Sequence, residues 1–326
     1  NKTINIVVAT SGDTGAAAID AIKGKSNLNI FVLHPNNRIS SIQRKIMTTV
    51  KEENVFNIAI DGNFDDCQNI VKEMFSDLEF SKSVNMSGVN SINWARIIAQ
   101  SVYYFYSYFK LGKETISFSV PTGNFGDVFA GYLAKKMGLP IDKLIVATNE
   151  NDILHRAITK GDYTSKEVTE TLSPSMDIQL ASNFERLIYY VNNSNCEKTA
   201  EIMKKVKQNS YQIEKRDLDI IQKDFLSESC NEKETLGIIR KNYEEKGVVL
   251  DPHTAIGVGA AQKLSLNDCV VLSTAHPCKF PDATNNAISK HEKLPKELQH
   301  VLDKKEHFQL IKNNTEEVKN FIKSRV

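Results

Sequence analysis

Short apolar runs alternate along this chain with longer stretches in which apolar residues recur at helical spacing. Ile4-Asn5-Ile6-Val7-Val8-Ala9 reads as a mostly apolar strand. A hydroxyl- and glycine-rich turn follows at residues 10–15, then an alanine-rich helical stretch at 16–23. The order repeats with strands at 29–33 and 55–60 and helical patterns at 40–50 and 65–78. Strands alternating with helices of this length predict βαβ units, a parallel sheet and right-handed crossovers. Asn90-Ser91 is placed to cap a long helix reaching about residue 111. Its aromatic run, Tyr103-Tyr104-Phe105-Tyr106-Ser107-Tyr108-Phe109, is too short to span a bilayer and predicts a buried helix. Residues 116–120, 144–148 and 268–274 read as further strands. Residues 150–246 read as mainly helical and polar, and 248–251 as a short extended piece. A small-residue helix is expected at 254–264 and an amphipathic closing helix at 313–326.

Composition narrows the class. At roughly 150 residues per domain, the 326-residue length suggests two domains, here expected as 1–105 and 106–326. Lys+Arg 41 against Asp+Glu 40 gives a net charge of +1, so no global field favours nucleic acid or an anionic membrane. The five cysteines include no Cys-x-x-Cys pair, which argues against a disulfide framework or a zinc site and fits a reducing, cytoplasmic setting. The seven histidines have no metal spacing. The chain is inside its first strand by Ile4, with no initiator methionine and no leader, so a preceding segment is expected.

The candidate chemistry lies in loops at the carboxyl ends of the predicted strands, where open α/β sheets bind ligands. The run Ser119-Val120-Pro121-Thr122-Gly123-Asn124-Phe125-Gly126-Asp127 is strand, glycine turn, helix. That arrangement aims backbone N–H groups and a positive dipole end at an anion, most simply a phosphate. It is neither Gly-x-Gly-x-x-Gly nor a Walker loop, so dinucleotide and nucleoside-triphosphate readings lose ground. Ser11-Gly12-Asp13-Thr14 is either an N-cap with a tight turn or a carboxylate-binding nest. Arg96, close to the start of its helix, opposes the helix dipole; a bound anion or a nearby carboxylate would offset that. His276 and Lys279 follow the last strand, where a lone histidine is more often a structural hydrogen-bonding group than a base.

Taken together, Ala9-Thr10-Ser11-Gly12-Asp13-Thr14-Gly15, Asn90-Ser91-Ile92-Asn93 with Arg96, Pro121 to Asp127, Ala147-Thr148-Asn149, and Thr274-Ala275-His276-Pro277 with Lys279-Phe280 resemble threonine synthases. These belong to the fold-type-II, tryptophan-synthase β-like group of pyridoxal-phosphate enzymes, and the match is to their longer bacterial and fungal form. The resemblance implies an α/β fold of two parallel or mostly parallel sheets flanked by helices. It implies pyridoxal 5'-phosphate as cofactor, and conversion of O-phospho-L-homoserine and water to L-threonine and phosphate. By resemblance, Gly123, Asn124, Phe125, Gly126 and Asp127 bind the cofactor phosphate, and Thr274 faces the pyridine nitrogen. Asp13 stands where many relatives carry an Asn that contacts the cofactor. Ser11, Gly12 and Thr14 match the substrate-carboxylate loop, and Asn90, Ser91 and Arg96 the substrate-phosphate group, with Arg38 and Lys45 as further candidate cations. The lysine that forms the Schiff base is expected upstream of Asn1, so no catalytic lysine is assigned within residues 1–326. A monomer or homodimer, with no nucleic-acid or membrane partner, is expected. The alternatives are another fold-type-II enzyme such as a serine or threonine dehydratase, which has no need of a second anion site, and a non-catalytic threonine-synthase-like binding protein.

Overall fold

The structure, a computed structural model, describes residues 2–90, 92–208, 211–266, 268–290 and 292–326. Its strands are β1 (Ile4–Ala9), β2 (Leu28–Pro35), β3 (Val55–Asp61), β4 (Met86–Gly88), β5 (Ile116–Pro121), β6 (Ile141–Thr148), β7 (Phe225–Ser229), β8 (Cys269–Val271) and β9 (Gln309–Lys312). They form two sheets, ordered β4-β1-β2-β3-β9 and β7-β6-β5-β8, and every strand pair is parallel. The two parallel sheets expected from the sequence are therefore present.

Residues 1–90 and 293–326 make one compact unit, and residues 91–292 a second. The helix Trp94–Leu111, where the sequence suggested a boundary, falls wholly in the second unit. The chain's last strand and helix return to the first unit because β9 adds parallel to β3, pairing Ile60 with Ile311.

In the first unit, β2 carries apolar side chains on both faces, and Ile30, Phe31, Val32 and Leu33 are fully buried. A strand covered on both sides needs such a continuous run. In the second unit every residue of β5 is buried. Phe118 packs edge-on against Tyr104, while Phe125 meets Phe184 edge-on and lies tilted against Phe225.

Three expectations are corrected. β4, β7 and β9 were not foreseen: they have three, five and four residues and carry little apolar signal of their own. The helix Trp94–Leu111 is capped by Asn93, whose side chain accepts from the Ala95 N–H at 2.9 Å, rather than by Asn90-Ser91; Ser91 lies outside the described residues. Its aromatic run is one-sided, with Tyr104 buried and Tyr103, Tyr106 and Phe109 exposed.

Candidate functional site

In the second unit the phosphate-loop candidate stands where the sequence put it. β5 ends at Pro121, and the Thr122 N–H donates to the Ala147 carbonyl at 2.8 Å, tying the loop to β6. Phe125 takes the left-handed conformation (φ 66°), turns its ring into the core and starts the helix Gly126–Lys136. No side chain caps that helix. Its first N–H groups have no intrahelical partner, which is the arrangement an anion completes. Gly123 is required by packing: a Cβ there would stand 2.6 Å from the Ser175 carbonyl oxygen.

Asn124 holds the loop from outside. Its carbonyl accepts from Asn183 N at 3.1 Å and Asn183 Nδ2 at 3.2 Å. Arg186 Nε donates to Asn183 Oδ1 at 3.1 Å, and its Nη2 donates to the Ile92 carbonyl at 2.8 Å. The Arg186 guanidinium also lies over the Trp94 ring, 5.2 Å from its centroid. The segment that carries Arg96 is thereby pinned to the loop.

Asp127 faces inward. The Tyr104 hydroxyl donates to its backbone carbonyl at 2.8 Å and lies 3.1 Å from its Oδ1. Burial pushes the Asp127 carboxyl up to about 6, against the hydrogen bond from Tyr104 and the attraction of Arg96. Arg96 is exposed on the first turn of its helix, and its attraction to the Asp127 carboxyl partly offsets its opposition to the helix dipole.

Parallel pairing of β5 with β8 aligns Ser119 with Val271. Three residues beyond each, the chain reaches Thr122 and Thr274, so the glycine loop and the Thr274 hydroxyl leave neighbouring strands at the same end of the sheet. Behind Thr274 lies a network that sequence reading missed. The buried Asp251 caps the helix Pro252–Lys263, and its Oδ1 accepts from His253 N at 2.9 Å and Thr254 N at 3.3 Å. The same oxygen is 3.0 Å from His253 Nδ1, while Oδ2 accepts from the Thr254 hydroxyl. Thr274 N donates to Thr254 Oγ1 at 3.1 Å. Burial alone would raise the Asp251 carboxyl; the His253 and Thr254 donors outweigh it and hold the group below its ordinary value. A cleft of about 460 Å³, lined in part by Asp251, Thr254, Ser273 and Ala275, flanks this network.

The Ala147-Thr148-Asn149 motif proves to be a support. Asn149 Nδ2 donates to Thr171 Oγ1 at 2.9 Å, Ser173 Oγ at 2.9 Å and Asp177 Oδ1 at 2.7 Å. That hub fixes the turn Pro174–Met176, whose backbone lies under Gly123. His276 accepts from the Cys278 N–H at 3.2 Å, a structural role, and Lys279 ends the same short turn.

In the first unit, β1 ends at Ala9 and the Thr10 hydroxyl accepts from Gly12 N and Gly15 N, each at 2.9 Å. Two of the loop's N–H groups are thus turned inward, and the helix Asp13–Ile22 starts without a side-chain cap. Gly12 has φ 133°, and a Cβ on it would lie 2.8 Å from Gln43 Cδ. Ser11 and Thr14 are half-buried beside it, with Asp13 the first helical residue. Lys45 donates to the Leu302 carbonyl, and Arg38 is exposed. Asn90 is the last residue of this unit, whereas Arg96 belongs to the second. Among the described residues there is no cluster of metal-ligating side chains. No helix of the described residues is long and apolar enough to cross a membrane.

The residues present fit pyridoxal phosphate: a glycine loop running into an uncapped helix suits its phosphate, and a strand-end hydroxyl suits its ring nitrogen. Comparison with known proteins agrees. Residues 1–195 match the family model for pyridoxal-phosphate-dependent enzymes, and residues 254–322 that for the C-terminal part of threonine synthase. The threonine synthase of Saccharomyces cerevisiae is 46% identical over the whole of this chain, which covers 70% of that protein. The Pseudomonas aeruginosa threonine synthase is also 46% identical, with 97% of this chain and 69% of that protein covered. The PLP-bound threonine synthase of Brucella melitensis superposes with a TM-score of 0.95 at 46% identity, covering 99% of this chain and 71% of that one. With its two parallel sheets, its anion-ready glycine loop and this depth of identity, the chain belongs to the threonine synthase family of pyridoxal-phosphate-dependent enzymes.

Proposed function

We infer that this protein converts O-phospho-L-homoserine and water to L-threonine and phosphate, the last step of threonine biosynthesis. The observation that carries the reading is the pairing of β5 with β8, which sets the Gly123–Gly126 loop beside Thr274 in a chain of this family.

Bound pyridoxal phosphate supplies an electron sink that acidifies the substrate carbons. The chain supplies orientation. The N–H groups of the Gly123-Asn124-Phe125-Gly126 loop and the helix behind it hold the cofactor phosphate. Asp127 braces that loop through Tyr104 rather than meeting the anion, because a buried carboxylate would repel a phosphate. The Thr274 hydroxyl meets the ring nitrogen, and Asp13 takes the position of the family's cofactor-contacting Asn. Ser11, Gly12 and Thr14 take the substrate carboxylate, and Asn90, Ser91 and Arg96 its phosphate. Holding the substrate at two anionic groups gives the orientation that lowers the barrier. No lysine of residues 1–326 is assigned the catalytic role. The reaction is placed in the cytoplasm, with the protein a monomer or homodimer and no nucleic acid involved.

The test is turnover by the gene product with pyridoxal phosphate present. Phosphate and L-threonine should appear in equal amounts from O-phospho-L-homoserine, with the threonine hydroxyl oxygen drawn from labelled water. Ammonia and 2-oxobutanoate from L-threonine, without phosphohomoserine turnover, would establish a dehydratase instead.

A further inference from the structure

In the first unit the helices Asp13–Ile22 and Ser41–Thr48 meet at two glycines. Gln43 and Met47 stand four residues apart, so they share one face of the second helix. A Cβ on Gly15 would lie 2.8 Å from Met47 Sδ, and a Cβ on Gly12 would lie 2.8 Å from Gln43 Cδ and 2.9 Å from its Nε2. Each glycine is a dent that one of these side chains fills. Met47 is apolar and fully buried, as a filler should be. Gln43 is only 4% exposed, yet among the described residues nothing hydrogen-bonds its amide. That amide keeps contact with solvent, unlike the sealed Ser40 Oγ and Asn57 Oδ1. An apolar side chain of the same size would fill the dent without the cost of a buried, unpaired amide.

The amide lies against Gly12, the residue that precedes the helix Asp13–Ile22, and no side chain caps that helix. The Thr10 hydroxyl takes the N–H groups of Gly12 and Gly15, whereas the Ser11 N–H and hydroxyl meet no acceptor among the described residues. Ser11, the helix start and the Gln43 amide therefore offer donors around one residue, which suits a ligand made only of acceptors.

We propose that Gln43 is a substrate-binding residue: its amide NH2 donates to the carboxylate of the amino-acid substrate held at the Ser11–Thr14 loop. An amide suits this place better than a cation. Lys or Arg there would pair with Asp13, the neighbour of Gly12, and spend its charge on that pair, whereas an amide carries no charge to be neutralised. The proposal rests on the assignment of this loop to the substrate carboxylate.

The experiment is calorimetric binding of two inert ligands to the holoenzyme. One is L-2-amino-5-phosphonopentanoate, the substrate with its ester oxygen replaced by CH2 so that phosphate cannot leave. The other is 4-aminobutylphosphonate, the same molecule without the carboxylate. The wild-type protein should prefer the first by at least about tenfold, since the loop offers several donors to a charged group. Gln43→Met keeps the filling and removes the donor, and should cut that preference by about tenfold or abolish it while leaving the affinity for 4-aminobutylphosphonate within about twofold. Gln43→Glu keeps the shape but replaces the NH2 donor by an oxygen, and should cut the preference at least as far. Circular dichroism and thermal melting follow the fold of both variants. An unchanged preference, equal weakening of both ligands, or loss of the fold in both variants makes Gln43 a packing residue and overturns the proposal. The two layers separate in the wild type: no preference there sinks the assignment of the loop to the carboxylate, whereas a preference that persists in both variants sinks only the role of Gln43.

Discussion

Replacing Asp127 by Asn should change how stability depends on pH, and by a computable amount. Burial raises the Asp127 carboxyl from 3.8 to about 6 in the folded protein, over the opposing effects of Tyr104 and Arg96. Between those two values the folded state holds a proton that the unfolded chain has released, so folding takes up a proton. The contribution of this group is therefore most favourable below pH 3.8 and is lost as pH rises through about 6. At ~1.4 kcal/mol per pH unit, the full loss is about 3 kcal/mol. About half of it is already present at pH 5, so the remaining ~1.4 kcal/mol accrues between pH 5 and pH 7.5. Asn has nearly the same shape, can accept from the Tyr104 hydroxyl and does not titrate. Urea unfolding of Asp127→Asn and wild type at the two pH values should show the variant gaining about 1.4 kcal/mol relative to wild type at the higher pH. The absolute offset depends on how well Asn keeps the Tyr104 contact; the pH-dependent part does not. A difference that is the same at both pH values, or that moves the other way, would refute the account of Asp127 as a buried brace.

Three further outcomes follow from the same geometry. Gly123→Ala pushes a methyl to 2.6 Å from the Ser175 carbonyl and should weaken pyridoxal-phosphate binding at least tenfold while costing about 1–3 kcal/mol of stability, as read by ligand titration and thermal melting. Gly12→Ala combines a backbone at φ 133° with a clash against the buried Gln43, and should lower stability by roughly 1–3 kcal/mol; an unchanged melting temperature would show that the loop relaxes freely. Arg96→Ala should weaken inorganic phosphate as a competitive inhibitor by about tenfold or more, the loss of a charged hydrogen-bonding partner. It should also move the Asp127 titration upward, because Arg96 is one of the two groups holding that carboxyl down.

Much of this molecule was legible in its residues, and the limits follow from what short-range patterning encodes. Leu28–Pro35, buried on both faces, announces itself by the apolar run Ile30 to Leu33, and Ile116–Pro121 by its Ile, Phe and Val alternating with Ser117 and Ser119; the helices between such strands imply parallel pairing. The glycine loop at 123–126 was readable for the same reason, since strand, glycine turn and helix are consecutive in sequence. Order within the sheets was not readable. β9 has only one buried residue in four, and it is a strand because β3 offers it an edge more than two hundred residues earlier in the chain. The functional support is likewise tertiary. Asn149 is a hub because residues 171–177 fold back onto it, Asp127 is a brace because Tyr104 arrives from another helix, and Thr274 is tied to Thr254, whose own partner Asp251 caps the helix that Thr254 belongs to. Backbone patterning is local and survives in the sequence. Which donor fills which lone pair depends on atoms that meet only after the chain has closed, and there the packed structure alone decides.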